Sequence, residues 1–282
     1  MKFVSYGTFQ NDRRMHGIEY AAKRSARFGF DSVEFFERCL STTPPIQSFD
    51  ARYTKRVLDE NGLSVACYSL LMDLSAKDFI EVKDTFARHL EFAARLGTPY
   101  LHHTVVPSLL LEMDAPPYEM VLERVFEHVV WIANRCAEYG VTCLYEPQGL
   151  YFNGVEGLQL LFQRVGKICK NVGICGDVGN SLFVDVSANE IYDAFIHEIR
   201  HVHVKDYMLS THSIEDQGKS VPLRGGKWIT ECPIGNGVID FSYCFGRLKQ
   251  VGYDDAISFE ISGDDKTVSD AMTYIKSIWE ES

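Results

Sequence analysis

RHVHVKD, residues 200–206, is a short β-branched run that carries two histidines two residues apart and closes on a lysine and an aspartate. Alternation along a strand has period two, so His201 and His203 point to one side, one layer above the other. Imidazoles facing inward at the end of a strand are candidate metal ligands, although the pair taken alone is equally well explained as core histidines bonded to their neighbours. Three further apolar runs close on a single carboxylate: VTCLYE at Glu146, VGICGD at Asp177 and AISFE at Glu260. The spacing of these four runs along the chain decides the fold.

Working outward from them, strands are expected at 2–6, 32–36, 63–71, 99–106, 141–146, 172–177, 200–206 and 256–261. Helical spacing of apolar residues predicts helices over GIEYAAKRSARFGF, stopping at Gly29, and over 50–60, 77–96, 118–139, 155–167, 188–197, 240–250 and 266–279. Residues 7–16 read as a loop. The stretch after strand seven runs about 30 residues with no expected element, longer than an ordinary joint, and is expected to act as a functional cover. Strict alternation of eight strand and helix pairs implies an all-parallel sheet, because each crossover returns the chain to the same edge direction. Eight such units in 282 residues predict a (β/α)8 TIM barrel with outer helices, a single domain over 1–282. An open doubly wound sheet would need a glycine-rich phosphate fingerprint at its first turn, and YGTFQNDRR has none.

Hydrophobic content of 46% with 24% charged residues is that of a globular chain with a sizeable core. The first residues lack the apolar core of a secretory signal, and no run approaches a bilayer span. Eight cysteines with no CxxC pair, three of them in expected strands, read as buried thiols in a reducing cytosol rather than a disulfide framework, so a cytoplasmic location is expected. The net charge of −11 repels phosphate backbones but not neutral sugars, which argues against nucleic acid as the partner.

In a barrel of this kind the C-terminal strand ends form the mouth where catalysis sits. Glu146, Asp177, His203 and Glu260 would occupy those ends on four adjacent strands and converge on one point. Three carboxylates that close repel one another unless a positive charge lies between them, and a divalent cation supplies it. Three oxygen ligands and one imidazole nitrogen suit one hard or borderline ion, Mn2+ or Mg2+ first, then Co2+ or Zn2+.

The order of E-P after strand five, D-x-G-N after strand six, H-V-H-V-K-D on strand seven, P-I-G-N-G-V-I-D-F before helix seven and G-Y-D-D-A-I-S-F-E on strand eight resembles the xylose isomerase-like barrel superfamily of sugar isomerases and epimerases, with its ketose 3-epimerase and inosose dehydratase members. The resemblance spans nearly the whole chain. It implies that Glu146, Asp177, His203 and Glu260 hold the ion, that Glu146 and Glu260 double as acid and base in enediolate proton transfer on a ketose or polyol-derived ketone, and that the chain forms a dimer or tetramer through its outer helices. Two departures matter. Many relatives have histidine three residues after the strand-six aspartate where this chain has Asn180, a substrate-binding candidate that can hydrogen-bond a hydroxyl but not shuttle a proton, and the ketose epimerases carry an arginine shortly after the strand-seven histidine that KDYMLS lacks.

Further substrate-binding candidates are Glu34 on strand two, at a position that lines the mouth in relatives, and one of the adjacent pair His102 and His103, of which only one can face the axis. Lys205 alternates away from His203 unless the strand bends at its end. Arg224, with Lys227, lies in the long connection as a candidate for a phosphate or carboxylate, weighed against simple solvation. Three other functions are open: an inosose dehydratase-like lyase, an abasic-site endonuclease, disfavoured by Asn180 and the charge, and a non-catalytic sugar-binding protein.

Overall fold

The structure is a computed structural model that describes residues 1–40, 50–76, 79–108, 116–214, 220–223 and 225–282. Among these residues the strands are, in chain order, β1 (Lys2–Ser5), β2 (Ser32–Arg38), β3 (Ser64–Leu71), β4 (Tyr100–His103), β5 (Thr142–Tyr145), β6 (Val172–Asp177), β7 (Ile199–Val204), β8 (Asp206–Ser210), β9 (Ser220–Pro222), β10 (Trp228–Cys232) and β11 (Ala256–Phe259). β1 to β7 and β11 close into the expected all-parallel barrel. Closure is made by β1 against β11, with Lys2 opposite Ala256 and Ser5 opposite Phe259. The helices are α1 (Gly7–His16), α2 (Ile18–Arg27), α3 (Ala51–Glu60), α4 (Phe79–Leu96), α5 (Tyr118–Glu138), α6 (Val155–Gly166), α7 (Ala188–Phe195), α8 (Phe241–Gln250) and α9 (Asp265–Glu281). Local chemistry sets several of their starts: Asp50, Asp240 and Asp264 each accept from the backbone N–H three residues on, and Ser187 with Glu190 forms a capping box.

Strands covered on both faces carry continuous apolar runs, as β3 does in SVACYSLL. The main core lies between the strands and the helices, around Phe35, Tyr68, Phe86, Leu101, Ile132 and Ile174. Inside the barrel the apolar filling is small, Cys67 with Leu144 and Cys175 in one cluster and Val4 with Ala66 and Ala256 in another. All eight cysteines are buried and free. Among the described residues no helix is long and apolar enough to cross a membrane.

Residues 7–16, expected as a loop, form the helix α1. Their sequence, GTFQNDRRMH, has no apolar stripe because the helix sits on the polar end of the barrel and is held by hydrogen bonds. Gln10 Nε2 donates to the Glu34 carbonyl at 2.7 Å, Thr8 Oγ1 donates to the Ile261 carbonyl at 3.1 Å, and Asp12 accepts from Arg24 at 3.0 and 3.1 Å. Gly17, with φ of 88°, lets the chain break between α1 and α2. Strand four is shorter than expected, ending at His103.

The long connection after strand seven contains its own sheet, β8, β10 and β9 in antiparallel order. Asp206 anchors it: Oδ2 accepts from the N–H groups of Gly235 and Gly237, both at 2.9 Å, and Oδ1 accepts from Tyr207 N at 2.9 Å and Ile239 N at 3.3 Å. The aspartate that closes RHVHVKD is therefore a loop clamp. A Cβ at position 237 would lie 2.1 Å from its Oδ1, which explains the glycine there.

α4 is fastened to β3 by a buried polar contact, His89 Nδ1 to the Tyr68 hydroxyl at 2.7 Å. Burial pushes the His89 imidazole down to about 4, against a backbone contact with Arg38 that favours the charged form. The unfolded chain takes up this proton near the ordinary histidine value of 6.5 while the folded chain stays neutral, so stability must fall as pH is lowered between those values. The loss from this one group is about 3 kcal/mol over the window. Urea melts between pH 7 and pH 4.5 should show a shallower fall for His89→Gln than for the wild type; equal slopes would contradict the assignment.

Candidate active site at the barrel mouth

Four neighbouring strands deliver their last polar residues to one point. Asp177 ends β6 and stands opposite His203 on β7; Glu146 follows β5; Glu260 follows β11, its N–H donating to the Val204 carbonyl at 3.0 Å. One ligand atom from each of these four side chains lies within 4.8 Å of all the others. His203 Nδ1 is 2.7 Å from Glu146 Oε1, 3.6 Å from Glu260 Oε2 and 3.8 Å from Asp177 Oδ2. Asp177 Oδ1 is occupied by the N–H groups of Gly179 at 2.8 Å and Asn180 at 2.6 Å, which turns Oδ2 toward the centre, buried and without a hydrogen bond of its own among the described residues.

Lys205 joins this cluster. β7 ends at Val204 and the chain bends into β8, so Lys205 is released from strand alternation and its Nζ reaches Glu260 Oε2 at 2.7 Å and Asp177 Oδ2 at 3.0 Å. Burial disfavours the ammonium, yet Asp177 and Glu260 hold its proton well above the usual lysine value. Burial raises the Asp177 carboxyl to about 7, more than Lys205 lowers it. Burial likewise works against the ionised Glu146, but His102 and His203 outweigh it and keep that carboxyl well below its ordinary value.

Beneath lies Glu34, fully buried on β2. Expected at the mouth, it instead accepts from His201 Nε2 at 2.8 Å, from His203 Nε2 at 3.0 Å, from Ser69 Oγ at 2.5 Å and from Ser258 Oγ at 2.6 Å. The two imidazoles hold its pKa well below the usual range although burial alone would raise it. With Nε2 committed to Glu34, His203 turns Nδ1 toward the carboxylates of the mouth. A carboxylate behind the ligating imidazole is the recurrent support of metal-binding histidines. The donor chemistry, three carboxylate oxygens and one imidazole nitrogen, with the buried Asp177 Oδ2 ion-paired to Lys205 but not hydrogen-bonded among the described residues, fits a hard or borderline divalent cation.

Of the adjacent histidines, His102 faces the axis: its Nε2 is 3.2 Å from Glu146 Oε2 and its Nδ1 3.1 Å from Ser69 Oγ. His103 is turned into the helix layer, where its Nδ1 approaches the Thr104 carbonyl at 3.0 Å and its ring meets Tyr145 edge-on. Asn180 is buried beside Asp177, its carbonyl accepting from Asn153 Nδ2 at 2.7 Å, and does not line the cavity above. Arg224 lies outside the described residues.

That cavity, of about 290 Å³, opens over Glu146 and Glu260, with Asp177 and His203 behind them. Its walls include residues that strand-end reasoning missed: Tyr6, whose ring lies 5.1 Å from that of His203, Gln148, Arg14 on α1, and Glu231 on the cover sheet. Tyr6 and Gln148 sit at strand ends and were findable by position; Arg14 and Glu231 belong to elements that carry no apolar period.

Comparison with known proteins agrees with this architecture. The family model described as xylose isomerase-like TIM barrel matches residues 22–278. An inosose dehydratase from Geobacillus thermodenitrificans is 26% identical over 219 residues, 73% of this chain and 71% of the relative. A ketose 3-epimerase from Arthrobacter globiformis is 24% identical over 274 residues, 93% of this chain and 83% of the relative. Among solved structures, a D-allulose 3-epimerase from Methylomonas sp. superposes with a TM-score of 0.72 at 17% identity, covering 99% of this chain and 98% of that one. With a parallel eight-stranded barrel, its strand-end cluster and a family match that spans most of the sequence, this chain belongs to the xylose isomerase-like TIM barrel family.

Proposed function

We propose that this protein is a divalent-metal-dependent sugar isomerase or epimerase acting on a ketose or polyol-derived ketone, with one cation held by Glu146, Asp177, His203 and Glu260. The observation that carries this is a division of labour within the cluster: all four donors converge, but only the two glutamates also line the cavity. When bound, a divalent ion polarises the carbonyl and offsets charge developing on the neighbouring oxygen. Mn2+ or Mg2+ suits the donor set best, then Co2+ or Zn2+.

The chain's own residues move the proton. One glutamate takes it from the carbon beside the carbonyl and the other returns one to the opposite face, which is general acid–base catalysis across the cavity. His102 and His203 position Glu146, and Lys205 positions Glu260. Tyr6, Phe36 and Leu71 supply wall area for the carbon side of a sugar. Kinship with the ketose 3-epimerase supports this assignment.

Lyase chemistry of the inosose dehydratase kind is the alternative, favoured by the 26% identical relative. There the same carbon proton is removed, and a hydroxyl one carbon further leaves with a proton as water. Proton NMR in deuterated water separates the two: an epimerase exchanges the carbon proton and keeps every oxygen, whereas a dehydratase loses water.

Purified protein should hold one divalent ion per chain and melt at a higher temperature with added Mn2+; a blank in both measurements would sink the assignment. Glu260→Gln should lower turnover about 100-fold or more while leaving the melting temperature of the metal-free protein near the wild-type value. Glu34→Gln, which removes the carboxylate behind His203, should weaken Mn2+ binding by about 10–100-fold in calorimetric titration. Unchanged affinity would show that Glu34 serves the barrel core alone.

A further inference from the structure

α1 presents one stripe to the cavity. Gly7, Gln10, Asn11 and Arg14, spaced i, i+3, i+4 and i+7, all line it. Gly7 is pressed against the backbone just after β11, where a Cβ would lie 2.4 Å from the Ile261 carbonyl oxygen, so the start of the stripe is seated on the barrel. Arg14 stands about 10 Å further along the helix axis, at the outer end.

The charges near Arg14 are otherwise matched. Arg13 pairs with Glu37 and donates to Gln10 Oε1 at 2.9 Å, and Asp12 is taken by Arg24. The Arg14 side chain has no ion pair or hydrogen bond among the described residues, and of those lining the cavity it is the one lysine or arginine. Beside the stripe, Ser262 Oγ accepts from Asn11 Nδ2 at 2.7 Å, which leaves its own proton for another acceptor. The cavity is thus uneven in charge, with Glu146 and Glu260 at the floor, Glu231 on the cover sheet, and the Arg14 guanidinium with the Ser262 hydroxyl on the α1 side. A basic residue in the last turn of a helix is explained by the helix dipole. The dipole does not explain why that residue faces the cavity.

We infer that Arg14 makes the outer end of the cavity an anion subsite, and that the ketone taken by this protein carries a carboxylate or phosphate at the end remote from its carbonyl. The inference rests on the proposed function for where the carbonyl lies. Guanidinium pairs with either oxyanion through two N–H groups, so the two anions share one recognition chemistry.

Calorimetric titration of the Mn2+-loaded protein with D-fructose, D-fructose 6-phosphate and 5-keto-D-gluconate tests it. One of the anionic probes should bind about ten-fold or more tightly than D-fructose, and which one does so tells phosphate from carboxylate. That preference should shrink with added salt, collapse toward one in Arg14→Gln and persist in part in Arg14→Lys. A preference absent from the wild type, or intact in Arg14→Gln as it would be if the anion sat on the cation instead, overturns the subsite. Proton exchange measured on the same three probes keeps the two ideas apart. Binding preference without turnover would sink the isomerase assignment alone, and turnover without preference would sink the subsite alone.

Discussion

A carboxylate placed in the middle of a barrel, out of reach of water, stays ionised only if its surroundings replace the hydration it lost. Glu34 is in that position, and four donors from three other strands meet it: His201, His203, Ser69 and Ser258. The interaction ties β2, β3, β7 and β11 together across the barrel axis where the apolar filling is thin. It also decides which way His203 faces. Everything at the mouth is built above that oriented imidazole.

The cluster above shows how charge of one sign is tolerated at close range. Glu146, Asp177 and Glu260 surround His203 Nδ1, and Lys205 reaches two of them. Asp177 shows the strain of the arrangement most plainly, since burial raises its carboxyl to about 7 in spite of the ammonium. In the proposed reaction a divalent ion held by these residues would relieve the same repulsion, and Lys205 would still hold Glu260. The two glutamates differ in setting: Glu146 is buried between two imidazoles, whereas the Glu260 side chain is one-third exposed to the cavity.

Walls around this floor come from elements outside the regular alternation. α1 lays a polar stripe across the mouth, and the β8–β10–β9 sheet brings Glu231 over it, pinned at its base by Asp206. Such additions are where members of one barrel family diverge in substrate, because the floor is shared and the loops are not. The arginine on α1 belongs to these added walls.

Local pattern alone determined the eight strands, most of the outer helices and the barrel, because strands buried on both faces must be continuously apolar and helices must carry an apolar stripe. It also placed Glu146, Asp177, His203 and Glu260 at neighbouring strand ends, since alternation assigns them one face. Only the tertiary structure decided the rest. Residues 7–16 fold as a helix through hydrogen bonds to β2 and to Ile261, two residues past the end of β11, partners far away in the chain that leave no period behind. Lys205 turns inward because the strand ends one residue before it, and Glu34 sinks beneath the mouth because its partners lie on strands that meet it only when the barrel closes. A periodic signal reports what a residue does within its own element, whereas a polar residue's role is set by which distant groups arrive beside it.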